Sequence, residues 1–207
     1  MEDVLSVYQL PYDSLRPVIC YDERPCVLIG DKIVPLPLSA GKPKREDYHY
    51  ERHGVANLLI AFEPLTGRRY VQITDQRTKK EYAHFLKSVV STHYPHAEHV
   101  VLVQDNLSTH TPSAFYHEFS APVAFELTQR FEMHYTPTNG SWLNMAEIEL
   151  SAISRQCLNR RIASKETLQR EVVACVNQRN EKRIKVDWQF TVNKARDKFS
   201  RFYHNNS

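Results

Sequence analysis

Three carboxylates in this chain each stand against an apolar run. Asp22 follows Val18, Ile19, Cys20 and Tyr21; Asp105 follows the run at 100–103; Glu147 lies in the helix-compatible stretch that opens near Trp142. Two strand ends and a helix can bring such residues to one point. Carboxylates within a few ångströms raise one another's pKa, so a cluster of three calls for a positive counterpart. A hard divalent cation such as magnesium, which prefers oxygen ligands, is the usual one. Two such ions about 4 Å apart can activate an attacking oxygen and stabilise a leaving one in phosphoryl transfer. That chemistry cuts and joins polynucleotides.

Each carboxylate also has a rival or a plainer role. Glu23 neighbours Asp22, and in a strand the two side chains point to opposite faces, so only one can face a site. Asp22 suits a turn before Pro25, and Asp105, followed by Asn106, suits a turn or a helix N-cap. Glu149 lies two residues beyond Glu147, about 200° round a helix, so the two cannot serve one ion, and periodicity does not choose between them. Asn106 and His110 follow Asp105 by one and five residues, where a polar group can orient a carboxylate, approach a phosphate or cap a turn. As a magnesium ligand His110 is disfavoured, because the hard ion prefers oxygen.

Two segments carry clustered positive charge. Lys42, Lys44, Arg45, Arg52 and His53 are interleaved with Tyr48 and Tyr50. The mixture suits phosphate contacts and stacking on unpaired bases, or else a solvated charge run. Arg155, Arg160 and Arg161 form a second cluster just after the stretch that carries Glu147. No G-x-S-x-G or Cys/His arrangement surrounds a nucleophile.

The elements that must position these residues are legible as periodicities. Residues 1–16 form an N-terminal helix, arm or linker. Pro17 opens a strand at 18–22, and Pro25 separates it from a second run at 26–29, which predicts an antiparallel hairpin. Residues 30–57, with Pro35, Pro37, Gly41 and Pro43, predict a basic functional loop. Runs at 57–62 and 69–73 around a turn with Pro64 and Gly67 predict a second hairpin. Tyr82, Phe85, Leu86, Val89 and Val90 recur at helical spacing across 79–94. The β-branched run at 100–103 reads as a strand buried on both faces in a parallel arrangement. Asp105 then stands at its carboxyl end, where open α/β sheets bind ligands. A short helix at 112–119, a strand at 131–135 and helices at 142–158, 165–180 and 192–203 complete the reading. Trp142 and Trp188 read as packing residues, Trp142 anchoring the helix that carries Glu147.

Composition bounds the rest. A chain of 207 residues, 42% hydrophobic and 25% charged, suffices for one well-packed domain. No apolar run approaches the roughly 18 residues of a membrane span. Glu2, Asp3 and Asp13 disfavour a signal peptide, so a cytoplasmic protein with no membrane partner is expected. Cys20, Cys26, Cys157 and Cys175 show no C-x-x-C pair, which favours buried thiols over zinc or disulfides. A formal charge of +3 permits nucleic acid without requiring it.

The segments PVICYDERPCVLIG (17–30), VLVQDNLSTHTPSAFYHEF (101–119), HYTPTNGSWLNMAEIELSAISRQCLNRRI (134–162) and WQFTVNKARDKF (188–199) together resemble the catalytic domain of bacterial insertion-sequence transposases. These belong to the Tc/mariner superfamily, insertion-sequence six-thirty type, with an Asp, Asp, Glu triad. The most specific match is LNMAE at 143–147, the family's Leu-Asn-x-x-Glu segment. The resemblance implies that Asp22, Asp105 and Glu147 are the catalytic, metal-holding triad. It also implies two magnesium ions with manganese as substitute, and a ribonuclease-H-like mixed five-stranded sheet flanked by helices, as in retroviral integrases. The activity implied is hydrolysis at transposon ends and strand transfer into double-stranded target DNA at TA, by a homodimer in the bacterial cytosol at the nucleoid. The 41 residues between Asp105 and Glu147 exceed the superfamily's usual spacing, and an enlarged loop around 118–130 is expected to absorb them. Residues 1–207 are then one catalytic domain, without the helix-turn-helix region that finds transposon ends. A non-catalytic DNA-binding or dimerising remnant that regulates a transposase is the second reading. Another nuclease of the same fold, which cuts without joining, is the third.

Overall fold

The structure, a computed structural model, describes residues 1–33, 41 and 48–203. The strands are β1 (Val18–Asp31), β2 (Tyr50–Glu63), β3 (Arg68–Thr74), β4 (Val100–Gln104) and β5 (Phe131–Tyr135). Among the described residues they form one sheet in the order β3-β2-β1-β4-β5. β2 runs antiparallel to both β1 and β3, whereas β4 is parallel to β1 and β5. The pairing of β1 with β4 covers only Val18 to Cys20, opposite Val101 to Val103, while its pairing with β2 continues to Asp31 opposite Tyr50. From Asp22 onward β1 therefore has one neighbouring strand among the described residues and a side left open by strands, where only the Ile29 N–H finds a backbone partner, the Ile162 carbonyl at 2.8 Å.

That open side explains a difference from the sequence reading. Pro25 does not break a hairpin; residues 18–31 are a single strand, and its antiparallel partner is β2. Proline is tolerated where its missing N–H falls on an open edge, and Pro25 lies in the half of β1 that has such an edge. The expected loop at 30–57 is correspondingly shorter, because β2 already begins at Tyr50. Together the distal halves of β1 and β2 make a two-stranded arm whose β2 side is exposed from Tyr50 to Val55.

Helices cover both faces: α1 (Glu2–Val7), α2 (Lys79–His93), α3 (Ser113–Glu118), α4 (Ala121–Arg130), α5 (Met145–Cys157), α6 (Lys165–Glu181), α7 (Val192–Lys198) and α8 (Ser200–Tyr203). Strand alternation divides the core. Val18, Cys20, Val101 and Val103 pack with buried residues of α1, α5, α6 and α7. Ile19, Tyr21, Val100 and Leu102 pack with those of α2, α3 and α4. Val100 to Val103 are wholly buried, as a parallel strand covered on both faces must be.

Local chemistry sets the ends of several elements. Thr78 and Glu81 close a reciprocal capping box at the start of α2. Gly67, in the β2–β3 turn, has φ +73°, and a Cβ there would lie 2.8 Å from the Arg183 carbonyl carbon, so the turn admits only glycine. The stretch 118–130 is largely helix instead of an enlarged loop: Ser120 precedes α4, and Ala124 and Leu127 are buried on its inner side. Three turns of helix thus occupy the long interval between Asp105 and Glu147. The first residues are α1, with Val4, Leu5 and Val7 buried in the core. All four cysteines are free; Cys20 is buried and the other three are partly so. No helix among the described residues is long and apolar enough to cross a membrane.

Candidate active site

Asp22 lies on β1 just past the end of its pairing with β4, so among the described residues no strand pairs with that edge there. Asp105 follows the last residue of β4, and Glu147 lies in the first turn of α5. What joins α5 to β1 is Asn144. Its side-chain oxygen accepts from the Ala146 N–H at 3.1 Å, capping the helix, and its amide nitrogen donates to the Tyr21 carbonyl at 2.7 Å. One buried side chain therefore starts the helix and fixes its first turn beside the residue that precedes Asp22. Asn three residues before Glu is a capping pattern, which is the signal by which the sequence could have revealed this role. Tyr8, just after α1, adds a second tie by donating to the Leu143 carbonyl at 2.8 Å. The expected helix at 142–158 is consequently split into a 3-10 turn at Ser141–Leu143 and α5 proper, with Asn144 extended between them.

Asp105 and Glu147 both lie within electrostatic range of Asp22. Asp22 is raised to about 7, chiefly by burial and further by the charges of Asp105 and Glu147. The Glu23 N–H, which donates to Asp22 Oδ1 at 2.8 Å, and the His110 cation act in the opposite direction. Among the described residues no Lys or Arg pairs with any of the three. Nor do any three His, Cys, Asp or Glu side chains there stand close enough together to hold an ion as they are.

Glu23 points away from Asp22, as alternation requires, into a buried polar cluster on the other face of the sheet. Tyr21 donates to its carboxylate at 3.0 Å. His110 fills the space between Glu23 and Asp105. Its Nδ1 makes a short hydrogen bond to Asp105 Oδ1, and its Nε2 stands 3.6 Å from Glu23 Oε2, a charge contact longer than a hydrogen bond. Burial alone would lower the imidazole's pKa; the two carboxylates more than offset this and hold it at about 9, so the ring is cationic at neutral pH. Tyr82 stacks on that ring and donates to Gln104 Oε1 at 2.8 Å, while Gln104 donates to the His110 carbonyl at 3.0 Å. His110, expected against DNA, is instead fully buried and orients Asp105 from behind. No local sequence signal distinguished Glu23, Gln104 and Tyr82 as its partners.

Glu149, the rival of Glu147, is buried on the far side of α5 between two arginines. Arg179 donates to it through Nε at 2.5 Å and Nη2 at 2.9 Å, and Arg69 Nη2 donates at 3.1 Å. Arg69 Nε lies 2.7 Å from the same carboxylate, but its hydrogen is not aimed at an acceptor, so that contact is one of charge alone. Glu149 is thus committed to structure, which leaves Glu147 as the candidate.

The other candidates are spread around this centre. Asn106 is exposed beside Asp105, and Arg155 is exposed near the end of α5. Arg160 pairs with Glu171, and Arg161 donates to Asp31 Oδ1 at 2.6 Å, tying the segment after α5 to the two-stranded arm. Tyr48, Tyr50, Arg52 and His53 are exposed on the arm, with the Arg52 guanidinium 6.0 Å from the Tyr50 ring centre. Lys42, Lys44 and Arg45 lie outside the described residues. Trp142 packs edge-on against Phe190 at 5.5 Å but stays half-exposed, whereas Trp188 packs on Tyr8.

Residues 17–169 match the family described as DDE superfamily endonuclease. Solved structures with the same fold include the Mos1 mariner paired-end complex with Mn (TM-score 0.54, 16% identity, 87% of this chain and 57% of that one). The Mos1 strand transfer complex is similar at TM-score 0.54 and 15% identity, over 90% and 59% of the two chains. The Mos1 paired-end complex with Mg matches at TM-score 0.54 and 17% identity, over 86% and 57%. The chain thus spans 57–59% of the length of those proteins. No curated protein matches it. The mixed five-stranded sheet flanked by helices is the ribonuclease-H-like fold that the sequence led us to expect.

Proposed function

The chain belongs to the DDE superfamily of endonucleases, and from that premise we propose that it is the catalytic domain of a Tc/mariner DNA transposase of the insertion-sequence six-thirty type. It hydrolyses a phosphodiester at a transposon end, and the freed 3′-hydroxyl then attacks target DNA. Both steps are displacements at phosphorus and need no covalent enzyme intermediate. The observation that carries this reading is the convergence of Asp22, Asp105 and Glu147 from β1, the end of β4 and α5, close enough for two of them to act on the pKa of the third.

The donor chemistry suits a hard divalent cation, which would draw the three carboxylates closer than they stand: Asp105 and Glu147 both act on Asp22, and none of the three has a Lys or Arg partner among the described residues. Two magnesium ions, or manganese in their place, held by Asp22, Asp105 and Glu147 would supply Lewis acidity and charge neutralisation at the reacting phosphate. The chain's own residues prepare that site. Asp22 is half ionised near pH 7 and gains its full charge only well above it. The buried His110 cation keeps Asp105 facing outward, and Asn144 sets where Glu147 begins its helix.

In this reading duplex DNA lies along Asn106, Arg155, Arg160 and Arg161 and against Tyr48, Tyr50, Arg52 and His53 of the arm, with Lys42, Lys44 and Arg45 adding charge. Residues 1–207 act as one catalytic domain with basic residues on its β1–β2 arm, two copies hold two transposon ends, and the protein works at the bacterial nucleoid. The Mos1 relatives, solved as paired-end and strand transfer complexes, support the assembly.

Two measurements test the proposal. Anomalous diffraction from crystals soaked in manganese with a short duplex should place a peak between Asp22 and Asp105. Asp105→Asn should lower cutting of an end-bearing duplex by a factor of about 10² or more while leaving duplex retention intact. Undiminished cutting would overturn the triad. Metal-free carboxylates with DNA bound would favour the non-catalytic regulator.

A further inference from the structure

The faces of β1 and α5 that carry the carboxylates continue into a cleft. Arg24 follows Asp22 by two residues, hence on the same face of β1 and about 7 Å further along the strand. Ser154 follows Glu147 by seven residues, two helical turns or about 10.5 Å along α5 on the same side. Both residues line one cavity of about 470 Å³, together with Arg155 and Arg160. Buried Leu28 and Ile162 contribute apolar lining, and Ser154, Asn159 and the arginines contribute the polar groups.

The rim carries uncompensated positive charge. Arg160 is paired with Glu171, but among the described residues neither Arg24 nor Arg155 has an acidic partner. Both are exposed. Two unpaired guanidiniums facing one cleft repel each other unless an anion lies between them, and the guanidinium fork matches the oxygens of a phosphate. The distances match a nucleic-acid strand as well. At about 3.4 Å of rise per nucleotide, the cleft lies two to three nucleotides from the carboxylates.

We propose that the cleft between the distal half of β1 and the end of α5 is a phosphate-binding subsite in which Arg24 and Arg155 hold the DNA backbone two to three nucleotides from the bond that is cut. This rests on the reading of Asp22 and Glu147 as the cutting site, and it adds Arg24, which no sequence pattern had singled out. The subsite fixes the register of the strand, so that one particular phosphodiester, and not its neighbour, lies over the carboxylates.

The test is duplex binding by fluorescence anisotropy between about 50 and 200 mM salt, for the wild-type chain, Arg24→Gln, Arg155→Gln and the double variant. Lys87→Gln, on the opposite face of the sheet, serves as the charge control. Each phosphate contact contributes about 0.9 to the slope of log affinity against log salt, so each single variant should lose about 0.9 and the double variant about 1.8. Both arginines are exposed, and melting curves should be unchanged; if the double variant is unstable, the single variants carry the same reading. A wild-type chain that binds duplex, with double-variant slope and affinity no different from those of Lys87→Gln, would overturn the cleft and leave the DNA reading standing. A wild-type chain that retains no duplex at the lowest salt would overturn the DNA reading itself, and the subsite with it. Cutting displaced by one or more nucleotides in Arg24→Gln would be further support for the register role.

Discussion

At the residue scale, the site is shaped by how much negative charge it can hold without a partner. Asp22 keeps its proton to about pH 7 in the fold, against an ordinary value near 3.8, because burial and two neighbouring carboxylates oppose its ionisation. The folded chain therefore binds a proton that the unfolded chain releases at lower pH. This contribution to stability is complete below about pH 4 and is lost as pH rises through about 7. Asp22→Asn should remove that slope. In chelator at pH 8 the variant should be the more stable protein, by on the order of 1–2 kcal/mol after allowance for partial exposure, or a few degrees in Tm. Added magnesium should then stabilise the wild type more than the variant. Thermal melts from pH 4 to 8, with and without magnesium, would decide this; a wild type whose stability rises over that range relative to the variant would show that Asp22 is not held protonated. His110 acts in the same direction in a higher window, because Asp105 and Glu23 raise its folded pKa from 6.5 to about 9: its contribution is complete below about pH 6.5 and is lost as pH rises through about 9.

At the scale of elements, α5 matters most, since its first turn carries Glu147 and its opposite side carries Glu149. Asn144 does two jobs at its start, capping the helix and donating to β1. Loss of an N-cap costs about 1 kcal/mol, and the buried Tyr21 carbonyl left without its donor adds a further 1–3 kcal/mol. Asn144→Ala should therefore destabilise the chain by roughly 2–4 kcal/mol in urea unfolding. It should also weaken manganese binding even where the protein remains folded, because the first turn of α5 loses its register on β1. Asn144→Asp, which can cap but cannot donate to Tyr21, should keep the helix and still weaken the metal. Equal manganese affinity in all three proteins would show that Asn144 only stabilises. Element by element, periodicity foresaw α2, β4, β5 and α6 closely. It misread 18–31 and 118–130, where Pro25 and the spacing between Asp105 and Glu147 suggested breaks that the fold does not make.

At the scale of the whole molecule, one buried cluster ties three distant segments together: Arg69 on β3, Glu149 on α5 and Arg179 on α6. Removing one partner of a buried ion pair strands the other's charge at a cost of about 3–5 kcal/mol, whereas a well-packed apolar replacement of the whole cluster can be neutral. Glu149→Gln should thus lower stability far more than an exposed α5 substitution such as Ile148→Ala. Replacing all three residues by Met, Leu and Met should recover much of the loss, and denaturant midpoints would show whether it does. The same scale separates what was legible in the sequence from what was not. Strand alternation, helical spacing and the position of Asp105 beyond a run buried on both faces depend on neighbours a few residues apart, so the sequence by itself determined the main elements, the candidate carboxylates and the class of fold. Which strand borders β1, which of Glu147 and Glu149 is buried between arginines, and why His110 lies behind Asp105 depend on contacts such as Asn144 with Tyr21 or Arg69 with Glu149, between residues about a hundred positions apart. Only the tertiary structure decided those, because burial and charge compensation at one residue are set by whatever the rest of the chain packs against it.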